Sequence, residues 1–171
     1  HIAKQLSDKD GRIQIINKTQ NEGTHLARKS GVKRAQGEYA LFLDADDELA
    51  DNALSSLAAL TSQQTFDVLH FGTELFGENM PETVCSDILQ LSNRNLPTLH
   101  GQEIAFSSFT DSEKNRQDWR ILQRLYRTEL LKNAFSCMSD SRLGRGQDSY
   151  EWLVIASLAD TEVFHNEIIG Y

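Results

Sequence analysis

The sequence predicts an α/β domain of stacked layers, on three observations. Apolar runs of strand length alternate with segments of helical periodicity, the pattern of a sheet covered by helices. Tyr39 to Leu43 is an unbroken apolar run between Gly37 and a set of acids, which reads as a strand buried on both faces, as in a parallel sheet. The run ends in Asp44, Asp46 and Asp47, so the acids fall at the carboxyl end of that strand, where loops of an open α/β sheet converge on a ligand crevice. Carboxylates this close repel one another unless a cation or hydrogen-bond donors offset the charge, and a hard divalent metal is the simplest offset.

Taken in order, His1 to Asp10 sets Ile2, Ala3 and Leu6 at helical spacing before the turn Asp8-Lys9-Asp10-Gly11, as in the tail of a helix. Ile13, Ile15 and Ile16 within Arg12 to Asn17 suit a short buried strand. Asn21-Glu22-Gly23-Thr24 offers a turn and capping side chains for a helix from about Thr24 to Gln36. Ala27, Gly31 and Ala35 recur every four residues on it, a face without bulk that is expected to lie close to the sheet. Lys33 and Arg34 suit its C-terminus, and Gly37 is expected to end it in the left-handed conformation.

Asp51 is placed to cap a second helix, with Ala53, Leu54, Leu57, Ala58 and Leu60 as its apolar stripe. Phe66 to Gly72 is the next strand, extended toward Leu75 and Phe76. Gly77 to Pro97 is polar, holds both prolines and is expected to be mostly loop, whereas Ile104 to Phe109 suggests a short helix. Trp119, Ile121, Leu122, Leu125 and Tyr126 mark a further apolar element, and Thr128 is expected to cap a helical turn through Leu130 and Leu131. Ser139 to Gln147 has loop composition. A helix from Asp148 to about Ala159 follows, with Trp152, Val154, Ile155 and Leu158 inward, and Val163 to Tyr171 is a final strand.

At 171 residues the chain suits a single domain over 1–171. Its formal net charge of -8 argues against a nucleic-acid partner, which needs a basic face. Cys85 and Cys137 form neither a disulfide framework nor a zinc set, so a reducing cytoplasm is the expected compartment. No stretch approaches the roughly 18 to 20 apolar residues of a membrane span. Any membrane association of these residues is expected to be peripheral.

The acids admit several chemistries. A helix-loop-helix calcium loop counted from Asp44 would need Gly and Glu where Leu49 and Ser55 stand, so that reading fails. A phosphatase of the haloacid-dehalogenase type would follow the second acid with Gly and Thr, and here Asp47 and Glu48 follow. The plain alternative is a strand-end turn with a helix cap. Arg28, one turn inside its helix, could hold an anion or stack on a base, or be simply solvated. Asp148 and Glu151 fit a reciprocal capping box. Arg120, Arg124 and Arg127 would line one face if their stretch is helical and, with Arg116, form a basic patch for a phosphate-bearing acceptor or an anionic membrane. The five histidines show no ligand spacing.

Together, Asn21-x-Gly23, Ala27-Arg28, Gly31, Ala35-x-Gly37-Glu38-Tyr39 and Phe42-Leu43-Asp44-Ala45-Asp46-Asp47-x-Leu49 resemble the family 2 glycosyltransferases of the GT-A fold. Leu125-Tyr126-Arg127 with Leu130-Leu131 is similar to the family's Trp-x-Lys-Leu-Tyr-Arg segment, and Gly146-Gln147-Asp148-Ser149-Tyr150 to its Gly-Glu-Asp-x-Phe segment. The resemblance implies a layered GT-A sandwich with a mainly parallel central sheet. It also implies that the family's opening strand-helix-strand, which ends in Asp-Asp-x-Ser and needs about 30 residues, is not within these residues. The expected domain is therefore a partial one. A second departure is Gln147 where the family carries Glu.

By the same resemblance, Asp44 and Asp46 occupy the D-x-D slot that meets the nucleotide ribose and Mn²⁺ or Mg²⁺. Arg28 occupies the nucleotide-contacting slot and Asp148 that of the general base. The implied reaction is inverting transfer from a nucleotide-sugar donor to a hydroxyl of a glycan or lipid-linked acceptor, in cell-surface polysaccharide synthesis at the cytoplasmic side. The rival reading is a binding module of the same fold without turnover.

Overall fold

The computed structural model describes residues 2–75, 82–110 and 117–170, with the backbone alone at 82–85. In chain order the elements are α1 (Ile2–Lys9), α2 (Thr24–Arg34), β1 (Tyr39–Leu41), α3 (Ala53–Gln63), β2 (Val68–Thr73) and α4 (Glu82–Ser92). They continue with β3 (Leu99–His100), α5 (Gln102–Phe109), β4 (Arg124–Arg127), α6 (Thr128–Cys137), α7 (Gln147–Leu158) and β5 (Thr161–Gly170).

The α/β layering is as expected, and the sheet is mixed rather than mainly parallel. Its order is β1-β4-β2-β5-β3, with β2 and β5 parallel and the pairs β1–β4, β2–β4 and β3–β5 antiparallel. β4 is the cause. It is a return strand inserted between β1 and β2, which run the same way as each other and as β5. Neighbouring residues along a strand face opposite sides, so Val68 and Tyr126 enter one core with Leu131, Phe135, Trp152 and Ile155. Leu69 and Leu125 enter the other with Leu57, Phe66 and Ile169.

Tyr39–Leu41 is half-buried, and Leu43 is 49% exposed. The reading of a strand buried on both faces is corrected by the sheet order: among the described residues β1 is an edge with a single neighbour, β4. Arg12 to Asn17 is not a buried strand. No described strand pairs with it, and Ile13, Ile15 and Ile16 stay exposed.

On α2 the small-residue face does not meet the sheet. Ala27 and Gly31 are exposed, and His25, Arg28 and Val32 are the buried side, because α2 packs on α6 with its larger residues inward. The helix stops at Arg34, with Ala35 extended at φ -59 and ψ 133, so no left-handed Gly37 is needed. α3 has Asn52 at its N-cap without a side-chain bond, in place of Asp51. α4 occupies much of the stretch read as loop, since its apolar positions are too interrupted to announce a helix. Helix α6 runs from Thr128 to Cys137, longer than the single turn expected, and the Thr128 hydroxyl is buried without a partner rather than capping. On α7, Trp152 and Ile155 are buried while Leu158 is 48% exposed.

The expected basic face dissolves in β4. Arg124 is buried, its Cζ 3.9 Å from the Trp152 ring centroid, its Nε donating to Glu162 Oε1 at 3.1 Å and its Nη2 to Gln117 Oε1 at 2.9 Å. Arg120 Nε donates to Asp118 Oδ2 at 2.7 Å and Arg127 Nε to Asp67 Oδ1 at 3.3 Å. Arg116 lies outside the described residues, as do Phe76 and Tyr171.

Where β2 meets β5 the register shifts on both sides of Gly72, and a Cβ there would stand 3.0 Å from the carbonyl oxygens of Asn166 and Glu167. Only glycine allows the two backbones this approach. Beyond the shift β5 reaches the segment after the acidic run: Ala50 N–H donates to Ile169 O at 2.9 Å and Leu49 bridges Gly170.

Candidate active site

Arg28 is the centre of the charged cluster. It stands one turn into α2, whose start is set by Gly23 at φ 86, a conformation open to glycine, with the Asn21 side chain accepting the Gly23 N–H at 2.9 Å. Its place on the buried side of α2 rules out a solvated arginine: the side chain is 8% exposed. Its Cζ lies 5.8 Å from the Phe42 ring centroid, beside the strand that leads to the acids.

Three carboxylates converge on it. Arg28 Nη1 donates to Asp148 Oδ1 at 2.5 Å and to Glu151 Oε2 at 2.9 Å, and Nη2 lies 3.6 Å from Asp44 Oδ1. Burial works against the guanidinium charge, but the bonds and charges of Asp148 and Glu151 prevail and hold Arg28 above the ordinary arginine range. Residues at the end of β1, inside α2 and at the start of α7 are thus joined through one side chain.

The capping box between Asp148 and Glu151 is absent. α7 is preceded by Gly146 in the left-handed conformation at φ 69, and no side chain caps it. The two carboxylates are spent on Arg28 instead, a charged donor that outcompetes a backbone N–H. Asp148 keeps a side-chain exposure of 24%, whereas Glu151 is wholly buried. Glu151 Oε1 also meets His25 Nδ1 at 2.7 Å, and His25 Nε2 meets the Ser139 carbonyl at 2.9 Å. Burial raises Glu151 above the usual carboxyl range, and the bonds from His25 and Arg28 only partly oppose it.

The acids after β1 form a turn in which Asp47 N–H donates to Asp44 O at 3.2 Å. Asp46 is exposed and the Asp44 side chain is 45% exposed. Burial, then the charges of Asp44 and Asp46, push Asp47 up. A cavity of about 110 Å³ lies beside the turn, lined in part by Phe42, Asp47, Glu48, Arg120 and Gln123. A larger one of about 460 Å³ between Leu96, Leu99 and Phe106 shares no residue with the charged cluster, so carboxylates rather than volume locate the site.

Among the described residues no three His, Cys, Asp or Glu side chains converge as a metal cage. Asp44, with its side chain 45% exposed, and the exposed Asp46 are the acids that would hold a hard cation of the Mg²⁺ or Mn²⁺ class, which needs only one or two carboxylates beside water and phosphate oxygens.

Arg28, Asp44 and Asp148 are therefore brought together, while Asp46 stands on the solvent side of the same turn. Glu151 and His25 are members that the sequence reading left out of the site. The signal for both was helical phase: Glu151 lies four residues before Ile155 on the buried side of α7, and His25 three residues before Arg28. Gln147 Oε1 is buried without a partner.

A family model described as glycosyl transferase family 2 matches residues 1–124. A Bacillus subtilis protein named as the uncharacterized glycosyltransferase EpsJ is 25% identical over 153 residues, 86% of this chain and 41% of its own. A second B. subtilis protein, TuaG, named as a putative teichuronic acid biosynthesis glycosyltransferase, is 40% identical over 47 residues, 28% of this chain and 19% of its own. The crystal structure of S. aureus TarS 1-349 in complex with UDP-GlcNAc superposes with a TM-score of 0.70 at 19% identity, over 100% of this chain and 46% of that one. The likeness to TarS shows the fold, and the chain spans less than half the length of each of these relatives.

Proposed function

The chain belongs to glycosyl transferase family 2, and on that premise we propose that it carries the transfer site of an inverting, metal-dependent glycosyltransferase. The observation that supports this reading best is Arg28 bridging Asp44 and Asp148, because it brings the donor-side acids and the candidate base to one place.

In this reading Asp148 accepts the proton of an acceptor hydroxyl as its oxygen attacks the anomeric carbon. The bond to the diphosphate breaks on the opposite face, which inverts the configuration. Asp148 Oδ1 is taken by Arg28 and the side chain keeps an open flank, so the other carboxylate oxygen receives the proton. Arg28 also faces the donor, where its fixed fork of donors suits a nucleotide or its diphosphate. Asp46, with Asp44, would hold Mn²⁺ or Mg²⁺, whose charge offsets that of the departing diphosphate. The donor is a nucleotide sugar, a class supported by the UDP-GlcNAc complex of TarS. The acceptor is a glycan or a lipid-linked glycan of the cell surface, supported by the teichuronic acid role in the name of TuaG. The site would work in the cytoplasm, where it can reach acceptors at the inner face of the membrane. Among the described residues no helix is long and apolar enough to cross a membrane.

Calorimetric titration with nucleoside diphosphates, with and without Mn²⁺, tests this. Metal-dependent binding that disappears in Asp46→Ala is expected. Binding indifferent to both metal and Asp46 would overturn the metal role. The rival, a binding module without turnover, draws on Gln147 standing where the family carries Glu, and it predicts the same binding without release of nucleotide in the presence of acceptor glycans.

A further inference from the structure

The transfer site proposed above rests on Arg28, and Arg28 rests on a pair of buried residues to which neither the family resemblance nor the comparisons give a role. We propose that Glu151, held by His25, is the positioning residue of the site: it fixes Arg28 from the buried side and so sets how Arg28 is shared between Asp148 and Asp44. This inference deepens the glycosyltransferase reading.

The geometry supports it in three ways. Glu151 has no exposed surface and so cannot touch an acceptor or a donor, yet its Oε2 takes the same Nη1 that binds Asp148. Arg28 is therefore gripped between an inner carboxylate and an outer one.

Second, both oxygens of Glu151 are used, Oε1 by His25 and Oε2 by Arg28. A buried carboxylate satisfied on both sides has a fixed rotamer, which is what precise placement of a partner requires. Third, His25 is itself tied to a different part of the chain. The Ser139 carbonyl can only accept, so His25 Nε2 donates, and the contact between Nδ1 and Glu151 then holds a proton on the ring or on the carboxyl. The groups facing His25 are Glu151 and Tyr150 of α7, Phe135 of α6, the Ser139 carbonyl and nearby Asp140 in the following loop, and Arg28 on its own helix. Among the described residues no other carboxylate bonds to the ring. The chain from Ser139 to Gly146 thus leaves from His25 and ends at the residue before α7, the helix that carries Asp148 and Glu151.

The consequence for the reaction is one of placement. Glu151 takes up part of the Arg28 charge. Without it, among the described residues, nothing on the buried side holds Arg28 Nη1, and the guanidinium is free to redistribute its bonds between Asp148 and Asp44.

Glu151→Gln keeps the shape and both hydrogen-bonding positions and deletes the charge. Its kcat is expected to fall roughly 10- to 100-fold, the size of effect found when an outer partner of a functional ligand is removed. The donor KM should change with it, because Arg28 also faces the donor, while the melting temperature stays near that of wild type because Asp148 still pairs with Arg28. His25→Gln is the second variant, and it should lower kcat by loosening Glu151 while keeping a bond to Ser139. A readout independent of turnover is the nitrogen-15 NMR of the Arg28 guanidinium. Its Nη signals should be resolved in the wild type, where two carboxylates hold them, and should shift and broaden in Glu151→Gln, where a neutral amide oxygen replaces the inner carboxylate. An unchanged Arg28 spectrum overturns the positioning role, as does a loss of kcat that only tracks loss of folded protein. A wild-type protein that transfers no sugar would instead overturn the functional reading, and the Arg28 spectrum would still decide whether Glu151 positions it.

Discussion

Arg28 Nη1 lies 2.5 Å from Asp148 Oδ1, although 120 residues separate the two along the chain. One residue is inside the second helix and the other opens the seventh, and neither helix places its charge for its own benefit. The pairing makes Asp148, the base of the proposed transfer, a dependent of Arg28, the residue proposed to face the donor.

Asp148→Asn keeps the size of the side chain and its contact with Arg28 but can no longer accept a proton. Sugar transfer should fall by about 100- to 10,000-fold, while affinity for nucleoside diphosphate, read by calorimetry, should hold. Equal loss of both would assign Asp148 to binding instead.

Arg28→Ala leaves the buried Glu151 without its cation. Removing one member of a buried ion pair costs about 3 to 5 kcal/mol, measurable by urea unfolding. Arg28→Lys should recover only part, since a single ammonium cannot span Asp148, Glu151 and Asp44 as the guanidinium fork does. Adding Glu151→Gln to Arg28→Ala should restore some stability, because it removes the uncompensated charge.

His70 should make the fold acid-sensitive. Burial, then the charge of Arg124, pushes it down to about 3, and its Nε2 meets the Ser92 carbonyl at 2.9 Å. The imidazole of an unfolded chain takes up its proton from the ordinary value of 6.5 downward, and the folded one only near 3. Within that window the unfolded state binds more protons, so stability falls as pH falls, by up to roughly 1.4 kcal/mol per pH unit. Unfolding of wild type and His70→Gln at a series of pH values isolates the effect: the variant should lose less stability than wild type across this window.

Two glycines should respond with opposite sign. Gly72→Ala would force a Cβ to 3.0 Å from two carbonyl oxygens of β5 and should cost about 1 to 3 kcal/mol. Gly31 lies on the exposed side of α2 with nothing within 4 Å of an added Cβ, so Gly31→Ala should stabilise by about 0.4 to 1 kcal/mol. Melting curves of the two variants suffice.

Much of the fold could be read from residue pattern because helical periods and turn residues act locally. α3, α5, α7, β2 and β5 fall close to where the pattern puts them. β4 was obscured because Arg124 sits inside a strand, and a buried arginine disguises an apolar run; only the distant Glu162, Gln117 and Trp152 make that burial tolerable. The strand reading of Arg12 to Asn17 failed for the converse reason, since β-branched residues describe a strand only where another strand pairs with them. In the site, Asp44 and Asp46 stand out as acids at the end of an apolar run, whereas Arg28 and Asp148 are named only through the family resemblance, since their own spacing suits a solvated arginine and a helix cap. Glu151 does not stand out, because three residues after Asp148 it resembles a cap, and whether such a carboxylate turns to its own backbone or to a remote cation depends on packing between helices.

The run of β5 beyond the register shift at Gly72 joins two parts of the molecule. Ile169 and Gly170 grip Leu49 and Ala50, just behind the acidic turn, while the other end of the same strand follows directly from α7, which begins at Gln147 beside Asp148. The last strand therefore backs both halves of the site, the turn that carries Asp44 and Asp46 through Leu49 and Ala50, and the helix that carries Asp148 through the short link from Leu158 to Thr161.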